Sequence, residues 1–116
     1  MPENLTKSQK IAQLNDQFRN NFAYFLVFGQ ILTTASIAKL PMEEQMQIFK
    51  KVSNFNNFTE DNDPYGEHDF GSFNHNAATI FWKIDYYDQA LKYGSDNPAD
   101  ESKTKRIMTI MYSYEY

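Results

Sequence analysis

The sequence predicts a small α+β domain, in which an antiparallel sheet of about four strands carries two helices packed on one face. Two segments repeat apolar residues every three or four positions, as amphipathic helices do, and several others have the apolar runs or alternation of strands. Strands that follow one another through short links favour antiparallel pairing. Because the chain has 116 residues, 41% of them hydrophobic, we expect one domain over residues 1–116.

The first predicted helix covers residues 7–20. Thr6 and Ser8 are both suitable N-caps for it. Its apolar face consists of Ile11, Leu14 and Phe18. This spacing places the three side chains on one side of the helix, which is therefore expected to pack against the core.

A strand and a second helix are expected next. Residues 22–32 are almost wholly apolar, interrupted only by Gly29 and Gln30. This predicts a strand over residues 22–34 that is buried on both faces, or a short bent strand with Gly29 at a bulge or turn. Pro41 then opens a helix over residues 41–53, whose first turn is acidic and whose last turn is basic, in agreement with the helix dipole. The apolar face of this helix consists of Met42, Met46, Phe49 and Val52.

The second half of the chain predicts three further strands, over residues 69–73, 78–87 and 104–114. Residues 78–87 alternate most regularly, with Trp82 in the middle of one face. The small polar residues after Phe73 predict a turn between the first two of these strands.

Residues 54–68 form an acidic aromatic loop in this prediction, since Asn, Asp, Pro and Gly are too frequent there for regular structure. The chain has no basic residue between Lys51 and Lys83, and residues 52–102 hold ten acidic residues against two basic ones. Direct nucleic-acid binding is therefore disfavoured, because it depends on Lys and Arg contacts with phosphate. A basic protein or nucleoprotein surface is the expected partner, and a loop that serves only solubility is the alternative.

A family resemblance rests on three segments of the sequence, 62–71, 82–88 and 104–116. They read NDPYGEHDFG, WKIDYYD and TKRIMTIMYSYEY. With these segments the chain resembles a bacterial family of uncharacterised proteins, the domain of unknown function 3768 (DUF3768), over nearly its whole length from Ile11 onward. The resemblance implies a bacterial or phage origin, a frequent location on plasmids, phages and other mobile elements, and a compact α+β fold. It implies no activity and no catalytic residues.

A divalent-metal site is one candidate in the loop, with oxygen and nitrogen ligands from Asp61, Asp63, Glu67 and His68. Counted from Asp61, the calcium-loop pattern lacks the bidentate carboxylate at position twelve. We therefore predict no cofactor, with a divalent cation as the alternative.

A hydrolytic centre is the second candidate, with His68 as general base and Lys83 in support. Its carboxylates would be Asp85 and either Glu67 or Asp69. The structural interpretation, which we favour, is that His68 and its acidic neighbours cap turns and that Lys83 pairs within the sheet. The enzyme question stays open, and we lean towards a protein without catalytic activity.

A partner-binding surface is the third candidate, since exposed aromatic residues next to acids suit a basic protein. Its expected residues are Asp61, Asp63, Tyr65, Glu67, Tyr87 and Asp88. The predicted function is a non-catalytic, anti-CRISPR-like inhibitor of a host defence system, and a divalent-metal-dependent hydrolase or nuclease or a purely structural oligomer are the alternatives. The absence of Cys, of a secretory leader and of a membrane span predicts a cytoplasmic location.

Overall fold

The computed structural model describes residues 4–20 and 29–116 and has an α+β fold. Its elements are α1 (Lys7–Asn20), β1 (Gly29–Thr33), α2 (Ala35–Ala38), α3 (Met42–Asn54), β2 (Phe70–His75), β3 (Ala78–Tyr87) and β4 (Lys105–Tyr112). Two 3-10 turns, Glu101–Lys103 and Ser113–Glu115, flank β4. The predicted α+β class is confirmed.

The sheet is mixed, with the strand order β1-β4-β3-β2. β3 pairs antiparallel with both β2 and β4, and Trp82 stands opposite Gly71 on one side and Ile110 on the other. β1, however, pairs parallel with β4, from Gly29 opposite Arg106 to Thr33 opposite Ile110. The expectation of a wholly antiparallel sheet was therefore wrong for this pair. The two helices, the loop and the β2–β3 hairpin together form the long crossover that parallel pairing requires.

The helices lie on one face of the sheet, as predicted. The buried cluster consists of Phe18, Ile37, Ile48, Val52, Ile80, Trp82, Ile84, Met108 and Ile110. These side chains come from α1, α2, α3, β3 and β4, so one continuous core joins the helices to the two central strands. Each fully buried large side chain contributes about 2 kcal/mol through the hydrophobic effect.

The opposite face of the sheet carries an aromatic group and an ion pair. Phe70 and Phe81 lie edge to face with ring centroids 5.0 Å apart, and Tyr116 packs on Phe81 at 5.8 Å. Lys83 and Asp85 alternate onto this same face and form a 2.7 Å ion pair.

Helix α1 agrees with the sequence prediction, whereas the predicted buried strand was wrong in its described part, because β1 is an outer strand of the sheet and none of its residues is buried. α1 has the predicted bounds, and Thr6 and Gln9 cap it reciprocally: the Thr6 N–H donates to Gln9 Oε1 at 2.9 Å, and the Gln9 N–H to Thr6 Oγ1 at 3.1 Å. Residues 22–28 of the predicted strand 22–34 lie outside the described residues, and the described strand ends at Thr33. Gly29 begins β1 where a Cβ atom would collide with the carbonyl oxygen of Arg106.

The remaining boundaries shift by a few residues. The predicted helix 41–53 is α3, Met42–Asn54, with Pro41 just before it, and the short helix α2 was not predicted. The predicted apolar face of α3 was wrong for Met42 and Met46, which are exposed, whereas Ile48 and Val52 are buried. β2 extends to His75 because the hairpin turn consists of Asn76 and Ala77, both with positive φ. β4 ends at Tyr112, two residues before the predicted end, and a 3-10 turn follows.

In residues 4–20 and 29–116, no helix combines the length and the apolar character needed to cross a bilayer.

Candidate functional site

The loop that joins α3 to β2 is held from inside by Asp63. The Asp63 side chain is only 5% exposed, and its Oδ1 accepts hydrogen bonds from the backbone N–H groups of Glu67 and His68, both at 3.2 Å. Gly66 and His68 have φ values of 68° and 57°. A non-glycine residue in this region costs about 1 kcal/mol or more. Asp63 therefore stabilises a tight, strained turn.

The first half of the loop is closed by a reciprocal turn. The Thr59 N–H donates to Asn62 Oδ1 at 2.8 Å, and the Asn62 N–H donates to Thr59 Oγ1 at 3.3 Å. Asn62 also donates through Nδ2 to the carbonyl of Asn57 at 2.8 Å. Hydrogen bonds between side chains and nearby backbone groups thus take the place of the interstrand backbone hydrogen bonds that a loop lacks.

His68 is fixed between an aromatic ring and a carboxylate. Its imidazole stacks on Phe58 with centroids 3.9 Å apart and planes 3° apart. Its Nδ1 lies 3.0 Å from both carboxylate oxygens of Asp16, which is in α1. Nε2 lies 3.8 Å from Asp63 Oδ2, too far for a hydrogen bond. This geometry assigns the Nδ1 proton to the hydrogen bond with Asp16.

Arg19 joins α1 to the end of α3. Its Nη1 donates to the carbonyls of Val52 at 2.8 Å and Phe55 at 2.9 Å, and its Nη2 pairs with Asp16 at 2.9 Å. The guanidinium also lies over the Trp82 ring, 4.7 Å from its centroid. Burial lowers the pKa of Arg19, and the hydrogen bond and charge of Asp16 oppose that shift. The cation thus binds carbonyls at and just after the C-terminal end of α3, where the helix dipole favours positive charge.

A second network ties the loop to the sheet through Asn15, which is fully buried. Asn15 donates through Nδ2 to the Glu67 carbonyl at 2.9 Å and to Tyr86 Oη at 2.8 Å, and its Oδ1 accepts from Arg106 Nε at 2.6 Å. Tyr86 Oη in turn donates to Glu67 Oε1 at 2.9 Å. Burial raises the pKa of Tyr86 far above its usual value, so this hydroxyl remains a donor.

A comparison with known protein families assigns the chain to one of them. A family model described as a protein of unknown function (DUF3768) matches residues 33–115, more than half of the chain. The chain belongs to the DUF3768 family. No curated protein and no solved structure matched.

The DUF3768 model matches a shorter part of the chain than the resemblance suggested, which ran from Ile11 onward. It includes the loop, β2, β3 and β4. It begins at Thr33, the last residue of β1, so all of α1 lies outside it. Asn15, Asp16 and Arg19, which hold the loop from α1, therefore lie outside the matched residues.

The three candidate catalytic residues do not converge. His68 points to α1 and Asp16, whereas Asp85 lies on the opposite face of the sheet and pairs with Lys83. Asp69, just before β2, stands opposite Ile84 on the helix side. Burial, followed by the charges of Glu67, Asp63 and Asp85, raises the pKa of Asp69, which has an unfavourable environment as an anion.

The four candidate metal ligands are directed to different partners. Asp63 binds backbone amides, Glu67 accepts from Tyr86, His68 pairs with Asp16, and Asp61 is exposed. Within the described ranges, no group of three or more His, Asp and Glu side chains is arranged to hold a metal ion.

Some of the expected partner-binding residues are exposed to solvent, and others form hydrogen bonds within the protein. Asp61 and Tyr65 are exposed, Tyr65 by 79%, and Glu60 beside them is exposed as well. Asp63 and Glu67 serve the loop itself. Tyr87 alternates onto the opposite face of the sheet, and the carboxylate of Asp88 accepts from the Lys92 N–H at 3.0 Å within a turn.

Sequence reasoning missed Asn15, Asp16 and Arg19 as the residues that position the loop. A signal was present, because these polar residues interrupt the face that Ile11, Leu14 and Phe18 define. Asn15 and Arg19 are also four positions apart, and both are buried. Polar residues on the buried side of an amphipathic helix require partners, and here the loop supplies them.

Proposed function

We propose that this protein is a non-catalytic binding protein that acts by stoichiometric contact through its acidic aromatic loop, predicted as residues 54–68 and found as residues 55–69 between α3 and β2. Its partner is a basic surface of a host protein or nucleoprotein. The observation that carries the proposal is that some side chains of the loop form hydrogen bonds within it, whereas others are exposed to solvent. Asp63 and Asn62 hold it from within, while Glu60, Asp61 and Tyr65 project outward.

A loop whose conformation is already fixed by hydrogen bonds suits recognition, because it loses less conformational entropy on binding than a flexible loop does. Tyr65 offers a large ring with a hydroxyl, a combination common at the energetic centre of interfaces. Glu60 and Asp61 add charges that speed the approach of a basic partner and select against an acidic one.

The narrower version of the proposal is an anti-CRISPR-like inhibitor of a bacterial defence system. Family membership supports it only through the mobile-element setting that the resemblance implies. The acidic loop would occupy a channel that normally binds nucleic acid, with carboxylates where phosphates lie.

Quantitative capture tests the general proposal. The wild-type chain and a variant carrying Glu60→Gln, Asp61→Asn and Tyr65→Ala are immobilised and exposed to a bacterial lysate at low and high salt. A specific partner is enriched on the wild type, is lost on the variant and is weakened by salt, because exposed charges are screened. A second variant, Glu43→Gln with Tyr93→Ala, changes exposed residues of the same types elsewhere and keeps the partner.

Phage plating tests the narrower version. In a bacterium whose CRISPR system targets the phage, expression of the wild-type protein is expected to raise the plating efficiency, and the loop variant is expected to lose that effect. Equal plating with and without the protein would contradict the anti-CRISPR-like role, and capture that does not depend on the loop would contradict the general one.

A further inference from the structure

Two clefts meet beside Gly66 and His68. The larger one, about 900 Å³, runs along α1 past Gln13 and Gln17. The smaller one, about 530 Å³, lies within the loop and is lined by Glu60 and other loop residues. Gly66 and His68 line both, so the two clefts form one path from the helix to the loop.

The helix side of this path offers carboxamides at a regular spacing. Gln13 and Gln17 are both exposed and lie four residues apart in α1, which separates them by about 6 Å along the helix axis. Two residues of an extended chain span about 6.6 Å. A carboxamide both donates and accepts hydrogen bonds, so each Gln can pair with the N–H and C=O of an extended peptide.

Gly66 keeps the junction between the clefts open. Its φ is 68°, and a Cβ atom built on it would have no atom within 4 Å. A side chain at this position would therefore extend into free space next to both clefts. With glycine there, a passing peptide backbone can approach closely.

The loop side of the path suits a cationic side chain. Among the described residues that line the two clefts there is no Lys or Arg. Asp16 and Asp63 already have partners inside the protein, which leaves the exposed Glu60 as the carboxylate open to a ligand. The ring of Tyr65 lines the same cleft. A guanidinium pairs bidentately with a carboxylate and stacks on an aromatic ring, whereas an ammonium group does neither as well.

We propose that this path binds an extended peptide segment that carries an arginine, with its backbone along Gln13 and Gln17 and its guanidinium between Glu60 and Tyr65. The inference rests on the proposed protein-binding function and names the chemistry of the partner segment. The spacing of the Gln13 and Gln17 carboxamides and the open position at Gly66 favour a peptide independently of the acidic residues.

The test is a titration of the protein with short capped peptides that are identical except for a central arginine, citrulline or lysine, followed by amide NMR. We expect the arginine peptide to bind with a Kd of about 1 mM, and to shift the side-chain amides of Gln13 and Gln17 and the backbone amide of Gly66. Citrulline keeps the shape of arginine without its charge, so the citrulline peptide should bind about 5-fold more weakly.

Three variants locate the parts of the peptide. Glu60→Gln should reduce the 5-fold preference for arginine over citrulline to about 1-fold, because it removes only the charge partner. Gln13→Ala with Gln17→Ala should weaken both peptides by the same factor, and alanine keeps α1 helical. Asparagine tolerates positive φ, so Gly66→Asn should keep the turn and block binding of both peptides. Glu43→Gln, a matched carboxylate in α3, should change nothing.

Several results would overturn the inference. These are an absence of shifts at about 10 mM peptide, shifts centred elsewhere on the surface, lysine binding as tightly as arginine, or an arginine preference that survives Glu60→Gln. If the peptides fail while a captured partner still depends on the loop, the peptide path is wrong and the proposed function stands. If the peptides bind as expected but no partner depends on the loop, the proposed function fails instead.

Discussion

Asp69 is a half-buried carboxyl group whose surroundings disfavour its charge. Burial and then the nearby charges of Glu67, Asp63 and Asp85 raise its pKa, so the folded protein holds the Asp69 proton more tightly than the unfolded chain does. This contribution to stability is complete below the unfolded pKa of Asp69 and is lost as the pH rises through the folded pKa.

Asp69→Asn should therefore stabilise the protein at neutral pH. The expected gain in the free energy of unfolding at pH 7 is below about 1 kcal/mol, because solvent screens a half-exposed carboxylate. At pH 3 the gain should vanish, since Asp69 is then protonated in both states. Urea unfolding at the two pH values measures this, and Asp61→Asn, at an exposed position of the loop, is the control. A gain of equal size at both pH values would contradict the electrostatic explanation.

Asp63 is the residue on which the geometry of the loop depends. Asp63→Ala leaves the N–H groups of Glu67 and His68 without their acceptor, and we expect a loss of about 2 kcal/mol. Hydrogen exchange at residues 66–68 should accelerate more than exchange in β3. Asp61→Ala removes a carboxylate two residues away and should leave both quantities unchanged. Uniform acceleration throughout the protein would instead mean that the substitution acts on the whole fold.

At the scale of elements, α1 connects the loop to the sheet through its buried polar residues. Asn15 contacts the loop at Glu67 and the sheet at Tyr86 and Arg106. Since the amide group satisfies three partners at once, a change at this position affects the packing of α1, loop and sheet together.

Asn15→Ala should accordingly destabilise the protein by about 3 kcal/mol, because three hydrogen bonds are lost at a fully buried site. Gln17→Ala, at an exposed position of the same helix, should change the free energy of unfolding by less than about 0.5 kcal/mol. Chemical denaturation of both variants measures the difference. A small effect of Asn15→Ala would show that water or neighbouring side chains replace the amide.

At the scale of the whole molecule, the sheet order makes β3 and β4 the central strands and β1 and β2 the outer ones. The core side chains Trp82 and Ile110 are fully buried on these central strands. Backbone amides that open only on global unfolding belong to such strands.

Native-state hydrogen exchange should therefore show the strongest protection in β3 and β4 and weaker protection at the outer edge of β2. The parallel pair predicts a further detail: amides of residues 29–33 that bond to β4 should be protected together with their β4 partners. Exchange of residues 29–33 as fast as that of exposed turns would contradict the mixed sheet.

The sequence predicted the elements whose pattern is local. Ile11, Leu14 and Phe18 define α1, and the alternation around Trp82 defines β3 with its observed bounds. The favoured structural interpretation that Asp63 binds backbone amides of the loop agrees with the structure, where Asp63 accepts from the His68 N–H. The end of β2 was placed too early because Asn74 is compatible with a turn as well as with a strand.

By itself the sequence determined the α+β class, most of the helical and strand segments and the acidic charge of the loop, because hydrophobic period, capping and composition act over a few residues. Only the tertiary structure decided that β1 lies parallel to β4, that Asp16 is the partner of His68, and that Asn15 meets Arg106, 91 residues away along the chain. These pairings depend on which surfaces meet when the chain closes, and a buried polar group accepts whichever partner the packing brings within hydrogen-bonding distance.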